Sequence, residues 1–210
     1  MANTSGSTYG LTILSPIIED SRLDVCHSME LRWYLSQLPR DYRGPFAQLS
    51  STYLARLAVM DDVVFVGHPA HEEHLRSRYL VFEANFDGDL DTYLRRMATE
   101  TKEFVEAVWQ HCVGFPGTND IGAFIVYMKR CQLETTFFFA DVNDQTVEST
   151  LAALKAQAAL THFLDRHEGQ PAAEVQRAFR EFYAKLRKSP GLRRGGDESR
   201  DIRQEHIPHE

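Results

Sequence analysis

Ser77-Arg78-Tyr79-Leu80-Val81-Phe82-Glu83-Ala84-Asn85-Phe86-Asp87-Gly88-Asp89-Leu90-Asp91 reads as a strand that turns through an Asp-Gly corner into an amphipathic helix. Arg78, Leu80, Phe82 and Ala84 alternate with Tyr79, Val81, Glu83 and Asn85, the period of a strand with two distinct faces. One face mixes a carboxylate and an amide with apolar side chains, which suits a pocket wall better than a plain core. Beyond the corner, Leu90, Leu94, Met97, Phe104, Val108 and Cys112 recur at helical spacing and predict one long helix on one side of a sheet. Gly114-Phe115-Pro116-Gly117 ends it.

Working outward, Leu11 to Ile17 predicts a first strand, and Asp20-Ser21 caps a helix that runs to about Leu38, before Pro39. Ser51 to Met60 alternates as a second strand, and the stretch from Ser77 to Asn85 is the third. A short helix from about Asp120 to Arg130 precedes a fourth strand at Thr135 to Asp141. Two helices follow, from Thr146 to about Arg166 and from Ala172 to Lys188. The expected organisation is a flexible end over residues 1–10, one α+β domain with C-terminal helices over 11–188, and a disordered tail over 189–210, which is charged and poor in large apolar groups. The order β-α-β-β-α-β is that of the ferredoxin-like fold, an antiparallel sheet with helices on one face. Its other face needs a cover, either a second copy of the chain or the C-terminal helices, so a homodimer is one expectation.

Composition narrows the function. At 210 residues, 43% hydrophobic and 25% charged, the chain is an ordinary globular protein with enough apolar residues for one full core. A net charge of −7 argues against a general nucleic-acid binder, which needs a concentrated basic surface. The three cysteines, Cys26, Cys112 and Cys131, have neither zinc-motif nor disulfide-framework spacing and suit a reducing cytoplasm. The polar start has no signal-peptide core, and no apolar run is long enough to span a membrane. Phosphate-binding glycine loops and nucleophile elbows are missing, which removes support from nucleotide-binding and hydrolase readings.

The segments Leu11 to Ile17, Pro45-Phe46-Ala47-Gln48-Leu49 with Tyr53-Leu54-Ala55-Arg56, Phe82 to Gly88, and His111-Cys112-Val113-Gly114-Phe115-Pro116 resemble a group of uncharacterised bacterial proteins in the dimeric α+β-barrel superfamily. The resemblance covers about residue 11 to residue 167. It implies a sheet whose open face encloses an active site, with oxidoreduction as the reaction class. The wider superfamily includes haem-binding dye-decolourising peroxidases and chlorite dismutases beside cofactor-free monooxygenases, so haem or no cofactor is implied alike. Ala84-Asn85-Phe86-Asp87-Gly88 is similar to the Gly-x-x-Asp-Gly element of the peroxidases, without its first glycine, which makes Asp87 a candidate for chemistry and otherwise a turn residue. Tyr53 follows Thr52 where the group carries histidine.

Arg56 and Glu83 are the leading catalytic candidates, because charges on such strands are seldom buried unless they pair or meet a ligand. In one account they form an ion pair. In the other, Arg56 anchors an anionic or carbonyl oxygen and Glu83 is a general base, with Tyr53, Tyr79 and Asn85 contacting substrate. His111 flanks the apolar stripe of the long helix and is the candidate cofactor ligand, or else a helix-end histidine bonded to a last-turn carbonyl. His68, His71 and His74 lie on a connection where solvation is the simpler reading, and no metal is assigned to them. The expected function is a small-molecule oxidoreductase working on an apolar or aromatic substrate over the sheet. A non-catalytic binding or assembly protein that dimerises through the sheet is the alternative.

Overall fold

The computed structural model describes residues 3–20, 25–68, 71–141 and 143–188, and the tail expected at 189–210 lies outside them. The described residues fall into two compact units, divided after Asp144. In the first, β1 (Thr4–Ser5) and β2 (Thr8–Pro16) precede α1 (His27–Gln37), then come β3 (Thr52–Met60), β4 (Tyr79–Asp87), α2 (Leu90–Glu100), α3 (Lys102–Trp109) and α4 (Ile121–Arg130). The strands make an antiparallel sheet in the order β1-β2-β4-β3. The molecule is therefore α+β with a four-stranded antiparallel sheet.

Alternation on the strands divides the sheet as the sequence pattern requires. Leu11 and Ile13 of β2 and Leu80, Phe82, Ala84 and Phe86 of β4 are buried. They join one core with Leu31 of α1, Leu94 and Met97 of α2, Val105, Val108 and Trp109 of α3, and Phe124 and Met128 of α4. The rings interlock: Phe86 stacks on Tyr93 at 3.7 Å, and Phe82 meets Trp109 edge to face at 5.5 Å. Leu54, Arg56 and Ala58 of β3 point the other way and are exposed, opposite the half-buried Val81, Glu83 and Asn85 of β4.

Three expectations need correction. Thr135 to Asp141 is not a strand. The chain leaving α4 touches β2 at a single bridge, Ile13 to Gln132, with Leu14 N–H donating to the Cys131 carbonyl at 2.9 Å and Leu133 N–H to that of Thr12 at 2.9 Å. Further along that edge, β1 pairs with β2 at Thr4–Tyr9 and Ser5–Thr8. Residues 3–10, read as a flexible end, thus form β1 and the start of β2. They hold Thr135 and Asn143 through side chains: Asn3 Nδ2 donates to Thr135 Oγ1 at 3.1 Å, and Asn143 Nδ2 to Ser5 Oγ at 3.0 Å. The physical reason is that β2 has only one free edge, and a hairpin arm adjacent in sequence occupies it at a smaller loop-closure cost than a segment more than a hundred residues away.

The long helix is also two helices. Thr101 leaves helical geometry at φ −121° and ψ 32° between α2 and α3, and its buried hydroxyl donates to the Met97 carbonyl at 2.7 Å. At the corner between β4 and α2, Asp89 caps the helix by accepting from Thr92 N–H at 2.9 Å, while Gly88 makes the turn at φ 95°.

The second unit holds α5 (Val147–His167) and α6 (Ala172–Leu186). Thr146 caps α5 by accepting from Ser149 N–H at 3.1 Å. Phe163 packs with Phe179 and Phe182 between the two helices, at centroid distances of 5.7 and 4.9 Å. No described helix is long and apolar enough to cross a membrane.

Candidate functional site

The residues singled out from the sequence fall into three places in the first unit. Arg56 and Glu83 are cross-strand partners on β3 and β4 and form an ion pair on the open face of the sheet. With Asn85, Gly10, Thr12 and Phe138 they line a cavity of about 470 Å³. Phe138 roofs it at Gly10, where a Cβ would lie 2.7 Å from the phenyl ring, so only glycine admits this cover. The side chains of Arg56 and Glu83 are 70% and 35% exposed. Glu83→Gln is accordingly expected to cost no more than about 1 kcal/mol in urea unfolding, the range of exposed ion pairs. A loss of about 3 kcal/mol, typical of breaking a buried pair, would show that something covers this face in solution.

Tyr53 and Asp87 meet at the end of the sheet. A register shift between Thr52 and Leu54 makes Tyr53 the extra residue of a β-bulge, which turns its phenol towards Asp87. Partial burial first, then the hydrogen bond to Asp87, raises the Tyr53 pKa to about 12. Tyr79 pairs with Met60 and Pro16, four residues along β4 from Glu83, and does not line the cavity around Glu83.

His111 lies on the helix side. It follows α3, and its backbone is held against β2: the Ile18 N–H donates to the His111 carbonyl at 2.9 Å, and Val113 N–H to that of Pro16 at 2.8 Å. Only 8% exposed, its ring places Nδ1 3.0 Å from Nδ1 of His27 and 3.7 Å from Oε2 of Glu30. Burial first, and His27 second, push the His111 pKa below the ordinary histidine value, against the pull of Glu30. His111 and Glu30, with Gln110, line a cavity of about 570 Å³ whose other walls are Val25, Met29, Trp33 and Tyr34 of the α1 segment and Ala107 of α3. Trp33 is 68% exposed there, although it is among the largest apolar side chains.

The sequence reading missed His27 and Glu30. Their spacing of three puts both on one side of the first turn of α1, a signal visible in the sequence once the helix start is placed at His27. Their meeting with His111, 84 residues away, is a tertiary event. His74, by contrast, pairs with Asp62 at 2.7 Å in an exposed connection, and His68 and His71 are exposed. The residues around His111 do not fit a haem. Among the described residues the cavity wall offers no lysine or arginine for propionates and presents the carboxylate of Glu30 instead, while Met29 and Trp33 are too exposed to enclose a macrocycle. No family model, curated protein or solved structure matches this chain.

Proposed function

We propose that this protein is a small-molecule enzyme, an oxidoreductase in reaction class, whose apolar or aromatic substrate lies between α1 and α3 with its reacting atom against His111. The observation that carries the reading is a buried imidazole, paired with a second one, at the polar end of an otherwise apolar cavity. Ligand sites have this make-up: apolar walls supply affinity and a few convergent polar groups supply orientation. Trp33 and Tyr34 bring aromatic side chains to the wall, which suits an aromatic substrate. The His27–His111 hydrogen bond needs one ring as donor and the other as acceptor, so the pair can take a proton from a substrate and pass it outward. Burial favours the neutral, basic form of His111 near neutral pH.

The resemblance of residues 11–167 supports oxidoreduction as the class and a ferredoxin-like arrangement, in which residues 131–133 stand beside β2 where a fourth core strand would run. The same arrangement favours a homodimer that buries Leu54, Ala58 and their neighbours on the open sheet face. A second reading, non-catalytic binding over the sheet, is favoured by the convergence of Arg56, Glu83 and Asn85 in one concavity.

Titration of the full-length protein with the neutral fluorophore N-phenyl-naphthylamine separates the two sites. Saturable binding with energy transfer from Trp33 is expected, abolished by Met29→Asp and unchanged by Leu54→Asp. The reverse pattern would place the ligand over the sheet and overturn the first reading.

A further inference from the structure

We infer that His27, Glu30 and His111 form a binding site for one divalent first-row transition-metal ion, of the zinc or ferrous-iron kind. The inference rests on the cavity proposed above as the substrate site and supplies its cofactor. Two imidazoles and one carboxylate are the donor set that such borderline ions prefer, and they suit neither magnesium nor a thiolate-selecting ion. The geometry is compatible without rebuilding the backbone. The three donor atoms lie within 4.8 Å of one another, with edges of 3.0 Å from His111 to His27 and 3.7 Å from His111 to Glu30. An ion bound at about 2.0–2.2 Å holds neighbouring donors about 3.0 to 3.5 Å apart, between octahedral and tetrahedral angles. The ion would replace the proton that joins the two Nδ1 atoms, and its Lewis acidity would then stand in for the proton relay of the metal-free pair.

Position favours the ion as well. His111 is held by the backbone bonds of Ile18 and Val113, so one ligand is fixed before binding, and the others share one helical turn. His111 follows the C-terminus of α3, whose negative end favours a cation, while Glu30 stands in the first turn of α1. Among the described residues this is the one group of three or more His, Cys, Asp or Glu side chains gathered closely enough to ligate. Three protein ligands leave coordination positions open, the pattern of a catalytic rather than a structural site, and Glu30 and His111 also line the apolar cavity. A substrate lying against Met29 and Trp33 would thus reach the ion directly.

The test is a Co²⁺ titration of the full-length protein after chelator treatment, followed through the visible d–d bands and competed with Zn²⁺. One equivalent is expected to bind, with affinity falling at least about 100-fold in His27→Ala and in Glu30→Gln, since loss of a direct ligand should exceed the 10–100-fold typical of outer-shell changes. His27 and Glu30 are not buried, so both variants are expected to fold, which their metal-free thermal unfolding checks. His74→Ala should bind like the wild type. Failure to develop the bands, or bands that survive both substitutions, would overturn the inference. Dye binding to the metal-free protein reports on the cavity separately: dye without cobalt removes the metal site alone, and cobalt without dye removes the substrate reading alone.

Discussion

Replacement of Trp109 by alanine is expected to lower stability by about 3–5 kcal/mol, the range for deleting a buried aromatic side chain. Trp109 is 0% exposed at the centre of the first unit, edge to face with Phe82 at 5.5 Å and Phe104 at 6.4 Å. Its Nε1–H donates to Ser15 Oγ at 3.2 Å, and Ser15 is itself fully buried on β2. Alanine leaves a cavity and removes this donor from the serine hydroxyl, two separate costs. Urea unfolding measures the sum, and Trp109→Phe divides it, because phenylalanine refills much of the space but cannot donate. A loss below about 1.5 kcal/mol for the alanine variant would mean that the core collapses around the gap, contrary to the interlocked rings. Because Trp109 ends α3 two residues before His111, the same variant should also loosen the His27–His111 contact, visible as altered imidazole NMR shifts.

Gly6→Val should cost about 3 kcal/mol, by a different route. Gly6 turns the β1–β2 hairpin at φ 59°, a region that costs a β-branched residue about 1–2 kcal/mol. A Cβ there would also collide with the Asn143 carbonyl oxygen and lie 2.9 Å from the Asn143 Cβ. Relief requires Asn143 to move, which breaks its bonds from Ser7 N at 2.8 Å and Ser7 Oγ at 2.9 Å. The 135–143 segment would then come free of the sheet edge, so hydrogen exchange should rise there while α2 and α3 stay protected. Unchanged exchange over 135–143 would show that this segment is held independently of the hairpin.

The alkaline behaviour of Tyr53 follows from its partial burial first and then from its bond to Asp87. Its folded pKa of about 12 lies above the ordinary value of 10.0, so its contribution to stability is complete below pH 10 and is lost as pH rises towards 12. In a phenolate titration, Tyr53→Phe should remove one late-ionising tyrosine. Normal ionisation in the wild type would mean that the bulge does not hold the phenol against Asp87.

What the sequence determined by itself was local. Alternation placed β2, β3 and β4, and helical spacing placed α4, α5, α6 and the combined span of α2 and α3 within a few residues, because these patterns depend only on near neighbours along the chain. It also let Arg56 and Glu83 meet on one face if their strands paired, and the hairpin register does bring them opposite. Tertiary structure decided the rest. β1 takes the edge of β2 that Thr135 to Asp141 was expected to fill, because competition for an edge is settled between segments rather than within one. Thr101 breaks the long helix through a buried hydroxyl that no periodicity encodes. His27 and Glu30 acquire a role only where β2 holds the end of α3 beside the first turn of α1, so that side chains 84 residues apart come within 3.0 Å. Such a meeting follows from the packing of helices on the sheet, a property of the whole core that no local stretch of the chain contains.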